Sequence, residues 1–308
     1  MTIQDKLKII QNISGLTQEK LAEKLGVSFA TLNSWINGKS KPHRKTENNI
    51  DKLYSFLTGQ RDIPEDPLRA KKQIIINKSK KYRNILKEIL GNNDIYNQFL
   101  LSLTYHSNKI EGSTLTEDET RAVMFDNVSL PNKNIIEQLE VKNHQVALEY
   151  LLRSLLSASF KIDEAFILKL HSILMNGIKD DAGSYRSHGV RIVGTYIPTA
   201  NYLKVPKLMR EIVKDINRKK SEIIAHAANI HSRFEQIHTF SDGNGRIGRL
   251  LIHTMLLKKN LPPAVIEQKK KRFYNSYLKR AQLKEDFIPL EDFLCDAVIA
   301  GFKILERK

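Results

Sequence analysis

The stretch His238-Thr239-Phe240-Ser241-Asp242-Gly243-Asn244-Gly245-Arg246-Ile247-Gly248-Arg249-Leu250 gathers the groups that phosphate chemistry needs. Leu250, Leu251, Met255 and Leu256 continue an apolar stripe at helical spacing, which predicts a helix running on from about Gly245. Gly243-Asn244-Gly245 then falls at a helix N-terminus, where glycines let backbone N–H groups converge on an anion. Arg246 and Arg249 share one face of that helix and can both reach phosphate. Asp242 offers a hard oxygen to a Mg²⁺ ion that bridges phosphates. His238 is the nearby group able to take a proton near neutral pH. Taken singly, a Gly-Asn-Gly is a turn, a histidine is a core residue and two arginines are a solvated face. Their coincidence in one stretch points instead to phosphoryl or nucleotidyl transfer. Phe240 reads as a core anchor for the loop.

These residues resemble the Fic-domain signature His-Pro-Phe-x-Asp/Glu-Gly-Asn-Gly-Arg-x-x-Arg, with Thr239 in the place of its proline. The resemblance runs over roughly residues 95–300. It implies a mainly α fold, a Fic-fold helical bundle with a short β-hairpin flap. It also implies a nucleotidyltransferase that moves AMP from ATP onto a Ser, Thr or Tyr hydroxyl of a target protein, with ATP as co-substrate and Mg²⁺ as cofactor. Carried over by position, His238 deprotonates the hydroxyl and Asp242 holds Mg²⁺. Gly243, Asn244, Gly245 and Arg246 bind the α- and β-phosphates, and Arg249 meets the γ-phosphate. Gly183-Ser184-Tyr185-Arg186 followed by Val190, Arg191, Ile192 and Val193 resembles the family's flap, which clamps the target by strand pairing. Tyr274, in the segment Arg272 to Ala281, resembles the helix beside the adenine pocket. Asn275 and Gln282 stand there where the family often has a second tyrosine and a later asparagine.

Upstream lies Ser107-Asn108-Lys109-Ile110-Glu111-Gly112. Alone it is a helix end with Gly112 as its cap. Beside the signature it resembles the family's inhibitory motif, Ser/Thr-x-x-x-Glu-Gly/Asn, and so names Ser107, Glu111 and Gly112. The resemblance implies that Glu111 pairs with Arg249 and denies the γ-phosphate its partner and its room. ATP then lies in a pose unsuited to in-line attack, and positioning is most of the catalysis in such reactions. Some members use the same glutamate to remove AMP, so the direction of the reaction stays open. Transfer of another phosphate-containing group stays open too, although Asp242, Gly243 and Arg249 together favour a triphosphate in the AMP-transferring orientation. An alternative of another class is a nucleotide-sensing, DNA-binding transcription regulator.

Most segments have apolar residues three and four apart, so the elements that carry these groups are predicted to be helices. Thr116 with Glu119 forms a capping box, and Asp163 caps a helix whose stripe is Phe166, Ile167, Leu170, Ile173 and Leu174. The exception is the β-branched run from Val190 to Pro198, which predicts a short hairpin. Three regions are expected: 1–58, a compact helical unit; 59–94, a linker and basic helix; and 95–308, the main domain with the inhibitory helix near 103–112. The linker contains Gly59 to Pro67, and the basic run Arg69, Lys71, Lys72, Lys78, Lys80, Lys81 and Arg83 reads as a solvated face in preference to a bridging helix.

In the first region, Leu21, Ala22 and Leu25 belong to one helix; Gly26 breaks it and Ser28 caps the next, which stops at Asn37-Gly38. Two short helices joined by a glycine-centred turn make a helix-turn-helix, whose second helix enters the major groove. Ser28, Phe29, Thr31 and Asn33 would face base edges, and Lys39 and Lys41 phosphates. The segment from Gly15 to Pro42 resembles the lambda-repressor-like (XRE-type) DNA-binding domain, in which the positions of Gln18 and Ser28 approach phosphates or bases. Trp35 reads as core.

The 308 residues, 41% hydrophobic and 27% charged, suit a globular protein with a sizeable core. No apolar run has the length of a membrane span, and Met1 to Lys6 lacks the layout of a signal peptide. A single cysteine, Cys295, excludes an internal disulfide and sits in an apolar run as a buried thiol. These features predict a cytoplasmic protein. The net charge of +16 attracts polyanions, whether nucleic acid, nucleotide or acidic protein, and equally suits a solvated basic surface. Expected partners are a target protein with an acceptor hydroxyl, DNA through the N-terminal unit, no membrane, and a second copy in a homodimer.

Overall fold

The computed structural model describes residues 1–58, 66–192 and 196–307. Among these residues it contains fifteen α-helices and no strand. Helices α1 (Ile3–Ser14), α2 (Gln18–Leu25), α3 (Phe29–Ile36) and α4 (Arg44–Thr58) make the N-terminal unit. Then come α5 (Pro67–Ser79), α6 (Ile85–Gly91), α7 (Asn93–Glu111), α8 (Glu117–Phe125), α9 (Ile135–Ser154) and α10 (Glu164–Leu174). The chain closes with α11 (Val205–Ile216), α12 (Ile223–Ile237), α13 (Asn244–Leu257), α14 (Lys271–Lys284) and α15 (Ile288–Leu305).

The N-terminal unit packs Leu7, Ile10, Leu21, Leu32, Ile50 and Tyr54 into its own core, and Trp35 is buried with them. Thr17 caps α2, Gly26 turns the chain at φ 68°, and Ser28 caps α3 through the Thr31 amide at 3.2 Å. The larger unit is built around α12 and α13. Helix α13 is buried on every side from Ile247 to Leu257, which is why its sequence, Arg249, His253 and Thr254 apart, is apolar all round rather than along one stripe. Helices α7, α9 and α10 pack against it and α15 against α12, with Phe240 and Cys295 fully buried.

Two expectations are corrected. The basic run is a solvated face only in part: Arg69, Lys80, Lys81 and Arg83 are exposed, but three of its lysines are paired. Lys71 pairs with Asp292 and Asp296 at 2.8 and 3.0 Å, Lys72 with Glu291 at 2.5 Å, and Lys78 with Glu306 at 2.6 Å. These acids lie along α15 and at its C-cap, Glu306, and Asp292 comes 221 residues after Lys71, a separation no local pattern reveals. Ala70 and Ile74 of α5 enter the N-terminal core while Ile75 enters the main one, so this helix bridges both. The hairpin at 190–198 forms no ladder among the described residues: Val190, Arg191 and Ile192, like Tyr196 to Ala200, are coil. A lone two-stranded ribbon is marginal in water, and Tyr196 here is wholly exposed. The Thr199 hydroxyl, donating to the Val190 carbonyl at 2.8 Å, ties the arms together. Val193 lies outside the described residues, as does most of the expected linker.

Candidate active site

Helix α12 ends at His238, which adopts a left-handed backbone (φ 52°, ψ 63°) and turns the chain into the signature loop. That conformation is uncommon for a residue with a side chain. It is held from outside by the buried Arg186, whose Nε donates to the His238 carbonyl at 2.6 Å. The other Arg186 nitrogens donate to the carbonyls of His188, Ala200 and Ile237, so one guanidinium joins the loop to the segment where the flap was expected. Nδ1 of His238 lies 3.3 Å from the Glu235 carbonyl. A carbonyl can only accept, so Nδ1 carries the proton and Nε2 keeps its lone pair. Burial lowers the His238 pKa from its ordinary value; the bond to Glu235 opposes this and the Arg186 charge adds to it.

The loop beyond is stapled shut. The buried Asn244 side chain accepts from the Phe240 amide at 2.9 Å and donates to the Phe240 carbonyl at 2.8 Å. Its side chain is thereby committed to the loop, and what it offers an anion is its backbone N–H. His171 stacks on Phe240 with ring centroids 3.7 Å apart. It accepts from the Gly183 amide at 2.8 Å, so its Nε2 donates to the Asp242 carbonyl at 3.2 Å. Burial pulls its pKa down to about 4, which keeps it neutral. Gly243 has φ 77°, and a Cβ there would stand 2.9 Å from the Met175 sulfur, so glycine is required where α13 begins.

The charged groups converge on this helix start. Asp242 is about half exposed, accepts from the Gly243 amide at 2.6 Å and faces Lys179 at 3.7 Å. Arg246 is buried and pairs with Glu140 of α9 at 2.6 Å. Arg249 is buried too: its Nε donates to the Ser107 hydroxyl at 2.9 Å, and its Nη2 to the Ser107 carbonyl at 3.1 Å and to Glu111 Oε1 at 2.6 Å. Desolvation pushes the Glu111 carboxyl up, but Arg249, with Arg246 and Lys271 behind it, leaves it below the usual carboxylate range. Gly245 admits this contact, since a Cβ there would collide with Glu111 Oε1. The half-exposed Asp242 carboxylate could give one oxygen to Mg²⁺, which takes few protein ligands and completes its shell with phosphate and water.

Other expected residues are placed apart. Tyr274 is buried, with its hydroxyl 2.5 Å from Nε2 of His231. Asn275 is exposed, and Gln282 donates to the Ser232 carbonyl at 3.2 Å. In the N-terminal unit Ser28, Phe29 and Lys39 are exposed; Thr31 is half-buried and meets the Ser28 hydroxyl at 2.8 Å, and Asn33 donates to Gln18 at 3.1 Å. Sequence reasoning gave no role to Glu140, His171 or Glu235. Their positions carry no motif; only their burial against the loop and its arginines singles them out.

Residues 161–256 match the Fic/DOC family, and residues 12–46 match a helix-turn-helix family. The chain is 35% identical over 181 residues to the protein adenylyltransferase Fic of Nematostella vectensis, covering 58% of this chain and 42% of that protein. It is 30% identical over 196 residues to the protein of the same name in Aedes aegypti, covering 62% and 39%. The chain thus spans about two fifths of the length of these curated relatives. Among solved structures, a Fic domain-containing signaling protein from Bacteroides thetaiotaomicron superposes with a TM-score of 0.67 at 24% identity, covering 77% of this chain and 96% of that one. Fic-1 from C. elegans superposes equally well, at 0.67 and 21% identity, over 92% and 83%. These likenesses support the fold. The chain is thus similar to the Fic/DOC family over residues 161–256 and to a helix-turn-helix family over residues 12–46.

Proposed function

We propose that the protein is an adenylyltransferase that moves AMP from ATP onto a hydroxyl of a target protein and is restrained by Glu111. The observation that carries this reading is the ion pair of Glu111 with Arg249 at 2.6 Å, set at the start of α13 beside a neutral His238. In this reading the α13 N-terminus and Arg246 bind the inner phosphates, and Arg246 exchanges Glu140 for phosphate. Asp242 would hold Mg²⁺, which would supply positive charge to the phosphates. Nε2 of His238 takes the proton of the acceptor hydroxyl as its oxygen attacks the α-phosphorus, and pyrophosphate leaves. Arg249 serves the γ-phosphate only when Glu111 withdraws. In this reading the acceptor segment is laid against residues 190–192 and 196–200, which Arg186 ties to the loop through the carbonyls of His188 and Ala200. The relatives named adenylyltransferases support the choice of AMP.

The test uses ATP labelled on the α-phosphate with Mg²⁺ and a bacterial lysate. Glu111→Gly should label protein at least tenfold faster than the wild type, on the order expected when one misplaced group controls an in-line attack. Glu111→Gly combined with His238→Ala should label nothing. Equal labelling by the wild type and Glu111→Gly would remove the brake from this account. A second reading, duplex DNA binding through residues 12–46, rests on the exposed Ser28, Phe29, Lys39 and Lys41 on and beyond α3. Its check is the salt dependence of binding to a duplex.

A further inference from the structure

We propose that Glu235 is a positioning residue of the Glu111 brake: from the last turn of α12 it governs how firmly Arg249 is held by Glu111. This rests on the reading of Glu111 as an inhibitor and goes beyond it, because Glu235 lies outside both the signature and the inhibitory motif.

Two carboxyls press on the start of α13. Glu111 closes over Gly245, and Glu235 lies against Gly248, one turn further along, where a Cβ would stand 2.7 Å from Glu235 Oε1. Arg249 follows Gly248 directly and interacts electrostatically with both acids. Its guanidinium donates to α7, at Ser107 and Glu111, and also meets the Tyr274 side chain of α14, but no bond joins it to Glu235 among the described residues. Glu235 is buried, and its Oε1 has no hydrogen-bond partner among the described residues. An ionised carboxylate in that position would be costly, whereas a neutral acid is tolerable.

The groups around Glu235 fix the sign. Glu111 faces it from α7, Arg249 from α13, Tyr274 from α14 and His231 from its own helix; His253 of α13 lies beyond, against Arg249 and His231, and His238 meets only the Glu235 backbone carbonyl. Burial holds His231 and His253 down to about 3, so both are neutral. Asp215 of α11 and Glu291 of α15 are tied to Arg233 and Lys72. Burial, and then the charge of Glu111, push the Glu235 pKa up to about 8, with Arg249 opposing. At neutral pH the cluster therefore holds one cation, Arg249, and one anion, Glu111. Ionised Glu235 supplies a second anion, which competes for Arg249 and repels Glu111. Because the closed brake raises the Glu235 pKa, the proton on Glu235 must in turn favour the closed brake. The brake is tight below about pH 8 and loosens above it.

The test is the ratio of transfer rates, Glu111→Gly over wild type, measured from neutral to alkaline pH. Both proteins share the base, the metal ligand and the acceptor, so their common pH dependence cancels. The ratio should fall as pH rises through about 8, by about tenfold for each unit by which Glu111 raises the Glu235 pKa. In a Glu235→Gln background, which keeps the shape of the neutral acid, it should be flat. A second readout needs no activity: infrared difference spectra of the whole protein should show a buried carboxylic acid that ionises near pH 8. That signal should vanish in Glu235→Gln and move to lower pH in Glu111→Gln. A ratio independent of pH, the same slope in Glu235→Gln, or no such carboxylic acid would overturn the proposal. If Glu111→Gly transfers nothing at any pH, the proposed function fails, and the infrared titration alone decides the role of Glu235.

Discussion

At the scale of single residues, the site depends on side chains that hold the reactive group rather than react. His238 has to leave α12 with a positive φ so that its ring reaches the loop, and a left-handed turn costs about 1–2 kcal/mol for a residue with a Cβ. Arg186 offsets that cost. Its fork satisfies the carbonyls of Ile237 and His238, which the end of α12 leaves open, and its own amide donates to the Thr239 carbonyl at 3.2 Å. An ammonium is a point charge and cannot span four carbonyls. Arg186→Lys is therefore expected to cost about 2–3 kcal/mol, as buried carbonyls lose their partners. It should also slow transfer in the Glu111→Gly background by tenfold or more. Denaturant unfolding and the labelling assay measure the two effects; a lysine variant that keeps both stability and rate would show that the fork geometry is not needed.

At the scale of elements, the brake is the end of a helix, so its strength is set by how that end is capped. Glu111 is the last residue of α7, and Gly112 follows with φ 113°, its amide donating to Asn108 and Lys109 and the Ser113 amide to Asn108. A Cβ at Gly112 would meet nothing within 4 Å, so Gly112→Ala acts through the backbone alone. It should cost about 1 kcal/mol or more and fray the last turn. Transfer should rise above the wild type but stay below Glu111→Gly, and amide exchange at residues 109–112 should quicken. Unchanged exchange together with unchanged transfer would mean that tertiary contacts alone hold Glu111. The same contrast separates what the sequence revealed from what it hid. Gly112, the Thr116–Glu119 capping box, the Asp163 cap and the start of α13 are local events, readable within a few positions. The Glu140 partner of Arg246, the His171 stack on Phe240 and the place of Glu235 come from helices brought together only by packing. Asn275 shows the same limit: adjacent positions on a helix face different ways, so with Tyr274 buried its neighbour is exposed.

At the scale of the whole molecule, the net charge of +16 does not translate into one basic surface. Lysines of α5 are taken up by acids of α15, and Asn12 of α1 donates to Asp296 at 2.9 Å. The seam between the N-terminal unit and the larger one thus uses part of the charge that its sequence seemed to offer to solvent. Lys39 and Lys41, beyond α3, are exposed, and no ion pair is recorded for them among the described residues. If residues 12–46 bind duplex DNA, the two sets of lysines should behave differently. Lys39→Ala should weaken binding about equally for all sequences and reduce the slope of log affinity against log salt by about 1, one phosphate contact. Lys71→Ala should leave that slope unchanged. It should instead lower stability by about 1–3 kcal/mol, a partly screened value because Asp292 and Asp296 retain some access to water. Fluorescence anisotropy over a salt series, beside thermal unfolding of the same proteins, separates the outcomes. A salt slope that falls for Lys71→Ala and not for Lys39→Ala would place any DNA contact on the seam, and the recognition-helix reading would have to be given up.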